Sequence, residues 1–339
     1  MSVMNVRRRL ISATAVTAAT ALGLGALSAC SSDSAATGNT DKFDVVASFY
    51  PMAFLAEQIG GDHANVTSLT EPGQEPHDLE ISTKQRAQLE EADAALYLKG
   101  LQPAVDEAVS QTGIKTKIDA AGLTTLEDHG NTEHSHEGEE GHAEEEGHAE
   151  EKGHAEEKGH AEEEEHARDP HIWLDPVKYA EVAEGVGKAF EKADPDHAAD
   201  YKKNTAALVK KLNGLNGEFE NGLKNTKTKV FFTNHAAFGY LAERYGLTQE
   251  AISGLDPESE PSAARVRELQ QEAKADGVTT VFYETLVSDK TAKTLAKDAK
   301  LKTDVLDPLE GITDKSRGDD YFQVMEANLK ALRTALGAK

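Results

Sequence analysis

FDVVASFYPMAFLAEQIGGDHANVTSLT, residues 43–70, reads in one pass as strand, helix, strand. FDVVASFY and ANVTSLT are short β-rich runs, and PMAFLAEQIG between them has a helical pattern. A strand returning through a helix to a second strand builds a parallel sheet. The rhythm continues with a helix over 82–91, AALYLKG (94–100), a helix over 102–111 and TKID (116–119). Four strands alternating with helices predict one parallel α/β unit.

The rhythm recurs later. KVFFTN (229–234), a helix over 235–245, QEAISG (249–254), a helix over 262–275, TTVFYE (279–284), a helix over 289–299, KTDVLD (302–307) and a helix over 319–336 form a second α/β unit. Two helical stretches, 176–192 and roughly 196–224, lie between the units. In the longer one Leu208, Leu212, Leu215 and Phe219 recur at three-and-four spacing, so a single stripe faces protein. Thirty helical residues span about 45 Å, long enough for a rigid strut. The expected fold is α/β: two pseudo-repeated lobes with parallel sheets, joined by a long rigid backbone helix.

The N-terminus is not part of that fold. Arg7, Arg8 and Arg9 precede an apolar, alanine-rich run too short for a stable span, the form of a secretory signal. It ends in LSAC (27–30), and Cys30 is the only cysteine, which excludes an intramolecular disulfide. LSAC resembles the lipobox of bacterial lipoproteins, which implies a diacylated thiol at the mature N-terminus and lipid anchorage. SSDSAATGNTDK (31–42) then reads as a flexible tether. The expected segments are a signal over 1–30, the tether over 31–42, an N-terminal lobe over 43–195 holding a disordered loop at 127–168, a linker helix over 196–224, and a C-terminal lobe over 225–339.

The charge is concentrated in that loop. Of a net charge of −24, residues 127–166 carry −15, with seventeen acids against Lys152 and Lys158. The remainder is moderately acidic and offers no basic patch, so nucleic acid is excluded as a partner. His136, His142, His148, His154, His160 and His166 stand six apart, which on a helix turns successive rings to different faces. With glycine and dense glutamate around them, the segment reads as disordered. Together with His129 and His134 these imidazoles form an expected accessory metal collector, weak and of low selectivity.

Three other histidines share a different context. His77 in EPGQEPHDLE follows a strand end. His171 in DPHIWLDP is pinned by Pro170 and Pro176 beside the only tryptophan, Trp173. His235 follows KVFFTN. Such positions, at the carboxyl ends of strands or just before helices, line the ligand crevices of open α/β sheets. Nothing around His63 or His197 converges on a crevice.

PHDLEIS, the acidic histidine-rich insertion, DPHIWLDP, TNHAAFGYLAERYGL, SGLDPESEPS and LDPLEGIT together resemble the cluster A-I substrate-binding lipoproteins of bacterial zinc and manganese ABC importers, over nearly all of the mature length. The resemblance implies metal ligation by His77, His171 and His235 in the cleft between the lobes, with a carboxylate or water as fourth ligand. Glu310 is the first choice, with Asp307 and Glu284 as alternatives that could instead orient a ligand. It also implies a permease and an ATPase as partners, an extracytoplasmic, membrane-anchored location, and action as a monomer.

Three nitrogens and one oxygen suit Zn²⁺, the expected transported ion, whereas manganese prefers more oxygen. In manganese-directed relatives a carboxylate replaces the third histidine. A manganese carrier, a metal-buffering adhesin of the same fold and a zinc metallohydrolase are the competing readings. HExxH and GxSxG are both absent, and an enzyme would need a general base near the metal-bound water. Because ligation needs neutral imidazole, affinity should fall as pH drops below about 6.5.

Overall fold

The computed structural model describes residues 42–129 and 168–339. The expected signal, Cys30, the tether up to residue 41 and the histidines from His134 to His166 lie outside them. Among the described residues no helix is long and apolar enough to cross a membrane.

The first half forms β1 (Phe43–Ala47), α1 (Tyr50–Gly60), β2 (Ala64–Ser68), α2 (Thr83–Glu91), β3 (Ala94–Tyr97), α3 (Pro103–Gln111) and β4 (Thr116–Asp119). Its strands are all parallel in the order β2-β1-β3-β4, with Val45 beside both Val66 and Ala94. Then come α4 (Pro176–Ala193) and α5 (Ala198–Leu223). The second half repeats the plan with β5 (Val230–Thr233), α6 (Gly239–Tyr245), β6 (Thr248–Ala251), α7 (Ala263–Ala275), β7 (Thr280–Tyr283), α8 (Lys290–Ala299), β8 (Lys302–Val305) and α9 (Tyr321–Ala335). Its order, β6-β5-β7-β8, is the same topology. Two parallel-sheet α/β lobes thus appear as their alternating pattern predicts.

Local chemistry sets the helix starts. Ser82 and Gln85 close a reciprocal capping box on α2, and Ser262 caps α7. Asp175 accepts from the Val177 N–H at the start of α4, where Pro176 occupies the first turn without wasting a donor. One expected boundary moves. The helix anticipated from His235 begins at Gly239, because residues 234–238 are held in a bent, non-helical segment. There Ala236 N–H donates to Gly254 O, Ser253 N–H to Asn234 O, and the Thr233 hydroxyl to His235 O. Backbone partners outside the chain's own helix outweigh the helical pattern of HAAFGYLAERYGL.

Helix α5 buries Tyr201, Thr205, Leu208, Leu212, Leu215, Phe219 and Leu223 along one face. Its 26 residues span about 39 Å. That stripe, with α1, α4 and α9, belongs to a single apolar core that includes Val45 and Leu96 from the first sheet and Phe231 and Phe282 from the second. Smaller clusters lie on the outer faces, Leu89, Val105 and Val109 in the first lobe, Leu269 and Leu295 in the second. Each sheet is therefore covered on both sides, as parallel sheets require.

Candidate metal centre

Both sheets change winding direction between their two central strands, where ligand crevices form at the carboxyl ends. His235 follows β5 and Glu284 follows β7, either side of that point in the second lobe. Glu310 lies five residues beyond β8, and His77 in the loop between β2 and α2. His171 enters from the segment before α4, where Ile172 N–H donates to Pro170 O and opens a short 3₁₀ turn, Ile172–Leu174.

The two buried histidines are fixed by one device used twice. Asp169 Oδ1 accepts from both the backbone N–H and ring Nδ1 of His171, at 2.9 and 2.7 Å. Glu284 Oε1 accepts from both the backbone N–H and ring Nδ1 of His235, at 3.2 and 2.6 Å. Since a carboxylate accepts at Nδ1, Nε2 of each ring is left facing the cleft. His77 is held through its backbone, its N–H donating to Glu75, and its ring stays slightly exposed.

Glu310 is aimed by a braced loop. Leu309 adopts a left-handed conformation with φ 58°, uncommon for a residue with a branched side chain. It is fully buried, and its N–H donates to Asp307 Oδ1. Asp307 is itself locked by the Thr285 and Ser316 hydroxyls and by a two-way exchange with Asn328. The Trp173 indole donates to Pro308 O across the lobes. Asp307 thus braces the loop, Glu284 orients His235 from its Nδ1 side, and of the three carboxylates only Glu310 meets the Nε2 atoms of all three imidazoles.

Glu310 Oε1 stands 3.2 Å from His77 Nε2, 3.4 Å from His171 Nε2 and 3.3 Å from His235 Nε2. The two buried Nε2 atoms are 3.4 Å apart. Ligands ~2.0–2.1 Å from a tetrahedral zinc lie about 3.3–3.4 Å from one another, so these separations match the edges of such a site. Glu310 Oε2 is buried and has no hydrogen-bond partner among the described residues.

The electrostatics fit the same geometry. Burial works against protonation of His235, but Glu284 and Glu310 outweigh it and hold the ring well above its usual range. His171 is likewise opposed by burial and raised by Asp169 and Glu310. Burial pushes Glu310 up, yet His171, His235 and His77 together hold it well below the usual carboxylate range.

The other histidines stand apart. His63 and His197 stack at 4.1 Å, bonded to Asp200 and Asp194. His129, expected in the disordered collector, is instead packed edge-on against Tyr240, with Nδ1 on Asp169 and Nε2 on Glu243. Sequence reasoning did not single out Asp169 as an orienting group. The signal available for it was an aspartate two residues before His171, the spacing at which a short carboxylate reaches a following backbone N–H.

Three imidazoles and one carboxylate, largely buried between two like α/β lobes, form a cluster that could hold a metal ion. Comparison with known proteins agrees: the profile of the ZnuA family, described as zinc-uptake complex component A, periplasmic, matches residues 45–335. This chain belongs to that family. It is 39% identical over 318 residues to the zinc-binding lipoprotein AdcA of Streptococcus pneumoniae, covering 91% of this chain and 58% of AdcA. It therefore spans little more than half the length of that relative. With the high-affinity zinc uptake system protein ZnuA of Bacillus subtilis it shares 35% identity, over 94% of this chain and 98% of that one. Among solved structures, the Zn(II)-bound ZnuA-like domain of S. pneumoniae AdcA superposes with a TM-score of 0.67 at 35% identity, covering 87% and 99% of the two chains. The laminin-binding protein Lmb of Streptococcus agalactiae, described as having adhesin and metal transporting activity, gives 0.72 at 29%, covering 87% and 100%.

Proposed function

We propose that this protein is the extracytoplasmic binding component of a zinc ABC importer and not an enzyme. It takes Zn²⁺ on His77, His171, His235 and Glu310 and delivers the ion to a permease driven by an ATPase. Cys30 carries the lipid that holds it at the membrane, and the histidine-rich insertion collects metal. The observation that carries the reading is that one oxygen of the buried Glu310 lies 3.2–3.4 Å from the Nε2 atoms of His77, His171 and His235, while its other oxygen has no hydrogen-bond partner among the described residues. Three nitrogens favour zinc over manganese, which prefers oxygen-rich, higher-coordinate sites.

The relatives support the reading through their names, as zinc-binding and zinc-uptake proteins. Capture needs no hydrolytic base, and the carboxylates nearest the ligands are engaged in orienting them. Competition with a chromophoric chelator tests it. The wild-type chain should hold one ion far more tightly than any other, and His171→Ala should lose that ion by more than the roughly 10–100-fold that loss of an orienting neighbour costs. Unchanged tight binding in His171→Ala would place the cargo elsewhere.

A further inference from the structure

The segments on either side of the insertion, ending at His129 and beginning at Arg168, are stapled together where the Asp169 N–H donates to Glu127 O at 2.9 Å. At that staple Glu127, His129 and Glu243 each bring one ligand atom within 4.8 Å of the others. His129 Nε2 and Glu243 Oε2 are 3.1 Å apart. The imidazole is set in the same way as the two buried ligands: its Nδ1 is anchored to a buried carboxylate, leaving Nε2 toward the other donors. That carboxylate is Asp169, whose Oδ2 takes His129 while its Oδ1 takes His171.

The seat is built into the fold. A Cβ on Gly239 would come within 2.4 Å of His129 Cβ and 2.5 Å of its Cγ, so the ring occupies space that only glycine leaves free. Tyr240 packs edge-on against the ring, and its hydroxyl accepts from Glu127 N–H and donates to Asp169 O. Lys178 takes one oxygen of Glu127 at 2.7 Å.

We propose that His129, Glu127 and Glu243 form a second, partly exposed divalent-cation site at the root of the insertion, joined to the buried site through Asp169. One imidazole and two carboxylates with the remaining positions open to water suit a zinc-class ion held weakly and exchanged readily. An ion carried by the insertion would meet this site on a rigid part of the protein, one carboxylate away from His171. The cation class rests on the reading of the buried site, whereas the second site stands on its own geometry.

The test is zinc-edge anomalous diffraction from crystals of the full chain grown in excess zinc, for wild type and Glu243→Gln. The expected result is a peak among His77, His171, His235 and Glu310 in both, and a second peak between His129, Glu127 and Glu243 in wild type alone. In solution, equilibrium dialysis over rising free zinc, carried beyond the level that fills the buried site until uptake by the wild type no longer increases, should show Glu243→Gln retaining one ion fewer per chain. This difference cancels the contribution of the insertion, which both chains share. A buried peak alone in wild type, or identical peaks and uptake in the two chains, would overturn the second site and leave the importer reading intact. A peak only at the outer site would support the second site and overturn the importer reading.

Discussion

Glu284→Gln keeps the volume of the side chain beside His235 and removes only the carboxylate that accepts from its Nδ1 and backbone N–H. Zinc should still bind with unchanged stoichiometry, and affinity should fall about 10–100-fold, read by chelator competition. A fall as deep as that of His171→Ala would make Glu284 a ligand and Glu310 the spectator. Protonation sharpens the residue-scale picture. In the metal-free protein His171 and His235 are raised, so the stability they contribute is full below about 6.5 and is lost as pH rises through their raised values. Glu310 is lowered, so its contribution is present above about 4.5 and is lost as pH falls through its lowered value. Zinc must displace protons that these rings hold to a higher pH than a free imidazole does. The loss of affinity on acidification should therefore begin above 6.5, not below it as the unperturbed histidine value suggests. Calorimetric titration at pH 7 should show a binding enthalpy that changes with the ionisation enthalpy of the buffer. An enthalpy independent of buffer would sink this account.

At the scale of elements, two glycines on the central helices respond in opposite directions to the same change. Gly187 on α4 faces Thr205 on α5, and a Cβ there would stand 2.2 Å from the threonine hydroxyl. That hydroxyl is tied back to Tyr201 O, so it has little room to yield. Gly187→Ala should cost about 1–3 kcal/mol in urea unfolding, as overpacking does. Gly214 on α5 is exposed with nothing within 4 Å, and Gly214→Ala should stabilise by roughly 0.5–1 kcal/mol through helix propensity alone. Equal effects of one sign would mean that α4 and α5 do not pack as closely as the geometry requires. These elements were legible because burial stripes and strand alternation are local patterns: Leu208, Leu212, Leu215 and Phe219 marked the buried face of α5. The start of α6 was not legible, since Ala236 pairs with Gly254, a partner that no local pattern reveals. The site divides in the same way. The three histidines stood out by their proline and strand-end contexts, whereas Glu310, Asp307 and Glu284 all sit near strand ends and differ only in where each side chain points. His129 was hidden by its place beside a run of six-spaced histidines, although Gly239 and Tyr240 give it a fixed seat.

Across the whole molecule the lobes share one apolar core and a set of polar ties that converge on residues 169–175. The Trp173 indole donates to Pro308 O, the Tyr321 hydroxyl to Trp173 O and the Tyr240 hydroxyl to Asp169 O, while Arg244 grips both oxygens of Asp175. Several of these groups are buried, and a buried carbonyl that loses its donor costs about 1–3 kcal/mol, so opening the cleft widely would sacrifice many bonds together. The lobes should therefore melt as one unit. Metal-free protein should give a single calorimetric transition, and free zinc at 100 times the dissociation constant should add about 2.7 kcal/mol. For a chain of this size that is a rise of roughly 4 °C. The shift should vanish in His171→Ala, because the ion stabilises by joining groups that the two lobes contribute separately. Two resolved transitions, only one of them moved by zinc, would mean that the lobes unfold independently and that the ion reports on one lobe alone. A single transition that rises with zinc would make occupancy a property of the whole body, which a partner at the membrane could sense without a wide hinge motion.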